Sequence, residues 1–121
     1  MQNPTFDNAG YPTEETLEAI ANWPSEDMVS LFQFIKEAWK YDDMCWRQEG
    51  RTISASTVGW SGNEELISAL RDNTIVWMIC WQSSKRGGHY VFEIPEYQMK
   101  ENKEAENAEQ EGARANKRGR Q

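Results

Sequence analysis

Two short segments gather the side chains best able to hold a ligand. In Gly59-Trp60-Ser61-Gly62-Asn63 an indole sits where an extended stretch passes into a helical one. Its glycines would let a ligand approach the backbone, and the free amides of a helix start favour an anion. Trp60 would stack an aromatic ring while Ser61, Asn63 and those amides hold a phosphate. In Ser83-Ser84-Lys85-Arg86-Gly87-Gly88-His89, hydroxyls, two cations and two glycines precede the single histidine. Arg86 offers a planar fork for phosphate or carboxylate, Lys85 a point charge and His89 a hydrogen bond. The competing reading folds Trp60 back as a hydrophobic staple and makes the second segment a polar hairpin tip. That segment lacks the GxxxxGK[ST] order of a P-loop.

Catalysis finds little support. His89 has no partner that the sequence places beside it, and neither Cys45 nor Cys80 has a neighbouring histidine, so no catalytic residue is assigned. Glu64 is more simply used at a helix start. Two cysteines and one histidine fall short of a Cys/His zinc set, and no ordered Asp/Glu spacing calls for magnesium. The chain is therefore expected to hold neither metal nor cofactor, and to keep two reduced thiols.

A third feature is acidic. Glu14, Glu15 and Glu18, then Glu26 and Asp27, then Asp42 and Asp43, suggest a negative surface that meets a basic partner; the simpler alternative is that acids at helix starts stabilise the dipole. Residues 1–95 carry 14 acids against seven bases and the last 26 carry six of each, so the net charge of −7 rests on the body. That balance argues against general nucleic-acid binding, which needs clustered bases. A polar opening and the lack of an 18-residue apolar run lead us to expect no signal peptide and no membrane span, with the cytoplasm as default location.

The elements that must position these groups follow from periodicity. At 121 residues the chain has room for one core. Residues 1–10 read as an irregular arm pinned through Phe6 or Tyr11, 11–95 as the domain, and 96–121 as a charged extension outside it, helical or disordered. Thr13 caps a first helix with Leu17, Ile20 and Ala21 on one face, ended by Trp23-Pro24. Ser25 is expected to cap a second, in which Met28, Leu31, Phe32, Ile35, Ala38 and Trp39 step by three and four. Residues 41–50 form a partly buried connection ending in a short strand. Arg51 to Thr57 alternates, with Ile53 and Ala55 inward and Thr52, Ser54 and Ser56 facing solvent or a ligand. Ser61 and Glu64 have capping-box spacing ahead of Leu66, Ile67 and Leu70, and Asn73 suits a left-handed terminator. Ile75 to Trp81, apolar throughout, predicts a central strand covered on both faces, with Trp39, Trp77 and Trp81 in the core. A glycine-bearing hairpin loop then leads to a strand with Tyr90, Phe92 and Ile94 on one face.

The stretch Gly59 to Ile67, with Trp77, Cys80-Trp81 and Ser84 to Tyr90, resembles small uncharacterised proteins of tailed bacteriophages and prophages over about residues 11–94. The resemblance brings no activity with it. It implies a protein that binds and blocks or redirects a host component. The expectation is an α+β fold with three helices on a small, mostly antiparallel sheet of about three strands. Its expected role is that of a non-enzymatic phage or mobile-element accessory protein that binds a host protein such as a defence component. The alternative is a module for a small anionic ligand such as a nucleotide, followed by a small enzyme or a virion component. The sequence leaves the oligomeric state open.

Overall fold

The computed structural model describes residues 3–99, so most of the expected charged extension, 100–121, lies outside the described residues. The fold is α+β. Five helices, α1 (Glu14–Ala21), α2 (Met28–Ala38), α3 (Asp42–Cys45), α4 (Ser61–Asp72) and α5 (Thr74–Cys80), accompany four strands, β1 (Trp46–Glu49), β2 (Thr52–Ser56), β3 (Trp81–Lys85) and β4 (His89–Glu93). A further helical turn spans 96–99. The strands form one antiparallel sheet in the order β1-β2-β4-β3, one strand more than expected.

The threonines fix the start of the fold. Thr13 Oγ1 accepts from the Thr16 amide at 3.2 Å, capping α1 as its residue type predicts. The arm is tied by Thr5, whose amide donates to Thr16 Oγ1 at 2.8 Å; Phe6 stays largely exposed. α2 begins two residues later than a Ser25 cap requires, because Asp27 accepts from the Ser30 amide. Its stripe is as read: Met28, Leu31, Phe32, Ile35, Ala38 and Trp39 are all buried. Phe32 packs on Phe92 of β4 with ring centroids 5.5 Å apart, and the Trp39 indole donates to the Ser56 carbonyl. α2 thus covers the inner sheet face.

The apolar run is the main correction. Residues 75–80 form α5 rather than a central strand. Val76 and Cys80, four apart, are buried, whereas Ile75, Met78 and Ile79 face outward. Seven apolar residues carry no period, so a helix and a doubly covered strand read alike. What decides is Asn73. It ends α4 and starts α5 with φ −82° rather than left-handed, and its side-chain amide donates to the carbonyls of Ile20 and Trp23 at 2.9 and 3.0 Å. The strand therefore begins only at Trp81 and occupies a sheet edge. Trp81 is accordingly exposed and Trp77 half-buried, while Trp39 is in the core.

The body also continues past residue 95. Buried Gln98 accepts from the Met28 amide at 2.9 Å and donates to the Ser25 carbonyl at 3.0 Å. It holds the start of α2. No helix among the described residues is long and apolar enough to cross a membrane.

Replacing Asn73 by alanine removes the side-chain donor from two backbone carbonyls, of which that of Ile20 keeps the Trp23 amide at 3.3 Å. Asn73→Ala should lower unfolding free energy by about 1–3 kcal/mol, read from urea denaturation followed by tryptophan fluorescence.

Candidate functional site

Strand alternation creates a concave feature on the sheet. Ile53, Ala55 and Phe92 point into the core, so their neighbours must point outward. Register then aligns Arg47, Ser54, Val91 and Ser83 in one row across all four strands, and Ser56, His89 and Lys85 in the next. α3 adds Met44 and Cys45 at one side. Together these residues line an open groove of about 540 Å³. Among the described residues two cations, one imidazole and three serine hydroxyls face it, and no carboxylate does. The acids of this face lie at the other end, where Glu49 and Glu93 flank Thr52 and Glu93 pairs with Arg51 at 3.7 Å.

The two segments singled out by sequence lie at the same end of the sheet but use their side chains differently. The Thr57 amide donates to the Gly88 carbonyl at 3.0 Å, and a side chain on Gly88 would run into Thr57 Oγ1. Lys85 and His89 line the groove, while Arg86 sits exposed in the loop beside it. Trp60, Ser61 and Asn63 are absent from its lining. The Trp60 indole lies over Gly62, with the Tyr11 ring at 5.0 Å and the Lys40 ammonium at 4.7 Å. Trp60 is itself the helix cap position and supplies no side-chain bond, so the expected Ser61–Glu64 capping box is not formed. Ser61 Oγ instead donates to the Tyr11 hydroxyl at 3.1 Å. Asn63 is fully buried, its amide spanning the Lys40 backbone: Oδ1 accepts from the Lys40 amide and Nδ2 donates to its carbonyl.

Arg47, Ser54, Ser56 and Ser83 complete the groove. The outward Ser54 and Ser56 were legible from alternation. Arg47 was not singled out, although Trp46-Arg47-Gln48-Glu49 leaves it opposite a buried tryptophan.

The acidic residues divide. Glu14 and Glu18 join Glu65 and Asp72, which the sequence reading passed over, around a second groove of about 360 Å³ between α1 and α4, floored by Leu17, Ala21 and Ala69. Glu15, Glu26 and Asp43 are exposed. Asp27 is occupied as a cap, and Asp42 pairs with Lys36 at 3.1 Å.

Cys80 is enclosed, its sulfur 3.5 Å from that of Met28, and burial pushes its thiol up from 9.0 to about 12. It is a core thiol rather than a nucleophile. Because the folded value is raised, stability is lost as pH climbs from about 9 towards 12, where the unfolded chain ionises first. Cys80→Ala should flatten this fall relative to the parent protein, and at pH 8 iodoacetamide should label half-buried Cys45 while sparing Cys80, as read by peptide mass spectrometry.

The turn from Thr57 to Trp60 closes with the Trp60 amide on the Thr57 carbonyl at 2.9 Å and has positive φ at both central residues, Val58 (48°) and Gly59 (76°). This favours Asn-Gly and strains a β-branched residue. Val58→Asn should stabilise the protein by about 1 kcal/mol in thermal unfolding. Comparison with protein-family models, curated proteins and solved structures returned no match.

Proposed function

We propose that this is a non-enzymatic accessory protein of phage or mobile-element origin that acts by docking on a host protein, such as a component of antiviral defence. The observation that carries the reading is the uncovered side of α5. Ile75, Met78 and Ile79, spaced three and four apart on one helix face, are 58%, 76% and 42% exposed, and Trp81 at the helix end is 41% exposed. A helix apolar all round is ordinarily buried all round. Contiguous exposed apolar surface of this kind marks interaction sites.

Charge specifies the partner further. Asp72 ends α4 just before α5 begins, so the acidic groove of Glu14, Glu18 and Glu65 leads to the head of the apolar helix. A partner that presents apolar side chains flanked by lysines or arginines fits both. The acids would speed the encounter and make it salt-dependent, while the apolar contact would set its lifetime. The phage resemblance over 59–67 and 77–90 supports the same class of action.

Met78→Asp places a charge in that contact without touching the core. Affinity capture from bacterial lysate should retain a specific host protein on the parent protein, and the variant should retain it at least about tenfold less well. Identical captured proteins on both would refute the reading. So would a homodimer in light scattering that Met78→Asp dissociates, since the face would then be covered by a second copy.

A further inference from the structure

We propose that the outer face of the sheet binds the phosphate group of a small phosphorylated molecule, held over Ser54, Ser56 and His89 between Arg47 and Lys85. This is independent of the docking face on α5.

The disposition of the bases supports it. Residues 1–95 contain seven Lys and Arg. Lys36 and Arg51 are paired with Asp42 and Glu93, and Lys40 and Arg71 lie over the rings of Trp60 and Trp77. Among the described residues the other three, Arg47, Lys85 and Arg86, form no ion pair or ring contact; Arg47 and Lys85 line this groove and Arg86 is exposed in the loop beside it. A body with twice as many acids as bases thus concentrates its uncommitted positive charge around a groove that no carboxylate lines. Charges on edge strands also discourage sheet-to-sheet pairing, and Arg47 and Lys85 do lie on edges. Edge protection does not account for Ser54, Ser56 and His89, which belong to the two central strands.

Geometry and chemistry agree. Neighbouring strands lie about 4.8 Å apart, so Ser56, His89 and Lys85 form a row roughly 10 Å long, with Ser54 and Arg47 in the adjoining row. A phosphate seated over His89 is within reach of hydroxyl and imidazole donors below, a guanidinium from one side and an ammonium from the other. Charge-assisted bonds of this type are the strong ones. The volume falls within the roughly 300–1,000 Å³ of small-molecule sites, and exposed Met44 offers a polarisable wall for the rest of the ligand. A long nucleic acid would leave this groove for an acidic surface, so the ligand is small.

His89 is the only histidine, which makes its ring-proton NMR signals a local reporter. The full-length protein is titrated at fixed pH and ionic strength with inorganic phosphate, adenosine monophosphate and adenosine, with chloride as control. Phosphate and the monophosphate should shift the signals saturably, and adenosine should not. Arg47→Gln and Lys85→Gln should each weaken the response about tenfold, and Arg71→Gln should leave it unchanged. Arg47 and Lys85 are exposed, and backbone amide spectra verify that the variants keep the fold. Signals that stay fixed up to tens of millimolar phosphate and monophosphate overturn the proposal. Equal movement with chloride or adenosine, or a response intact in the Arg47→Gln/Lys85→Gln double variant, does so too.

Discussion

The structure depends on a sheet that, among the described residues, is covered by long helices on one face only. Phe92, Ile53 and Ala55 are the buried side chains of the two central strands, and Phe32 of α2 meets Phe92 directly. Trp77 of α5 packs edge-on against the same phenylalanine at 5.6 Å. Loss of the Phe92 ring would cost about 3–5 kcal/mol, a large fraction of what a domain of this size has to spare. With the helices committed to that side, the opposite face has to be soluble, and apart from Val91 it is built from Ser, Thr, Arg, Lys, His and Glu. Its side chains are free of packing demands, so their chemistry can be set by what they meet.

Buried polar side chains fasten the connections between the packed elements. Asn63 clamps the backbone of Lys40 as the chain leaves α2, and Asn73 joins the α4–α5 junction to the end of α1. Gln98 bridges Ser25 and Met28 at the start of α2. Thr57, also buried, accepts from the Gly59 amide on its hydroxyl at 3.4 Å. Each replaces backbone partners that irregular segments cannot find among themselves, which is why these amides are worth burying. Among the described residues the buried indole N–H groups of Trp23 and Trp46 meet no acceptor.

Alternation and helical spacing made much of this architecture legible. The inward Ile53 and Ala55, the buried stripe of α2, the Thr13 cap and the hairpin at Gly87-Gly88 all follow from local patterns. The failures share a cause, which is that long-range contacts chose between locally equivalent options. Ile75 to Cys80 became helical because Asn73 anchors its start 53 residues away on Ile20. Ser61 gave up its capping geometry for a hydroxyl 50 residues distant on Tyr11. Asn63 looked like a ligand donor because a polar amide near glycines does; burial and two backbone partners reveal a fastener. For the groove, sequence supplied Lys85 and His89 but not Arg47, because only sheet register places residue 47 two strands from residue 91.

A net charge of −7 does not decide what this protein attracts at close range. Charges separated by more than about 10 Å are largely screened at moderate salt, so a ligand responds to the groups lining its own site. Glu14, Glu18, Glu65 and Asp72 line one groove and Arg47, Lys85 and His89 another, with no ionisable side chain shared between them. Sequence-level charge therefore conceals two local fields of opposite sign. The acidic groove belongs to the helical layer and the basic one to the bare sheet face, a segregation that follows from covering the sheet on a single side. Where helices pack together, acids gather at helix starts and along exposed flanks; where strands stand uncovered, alternation brings residues distant in sequence into one row. The field that a small anion would meet is thus a product of register.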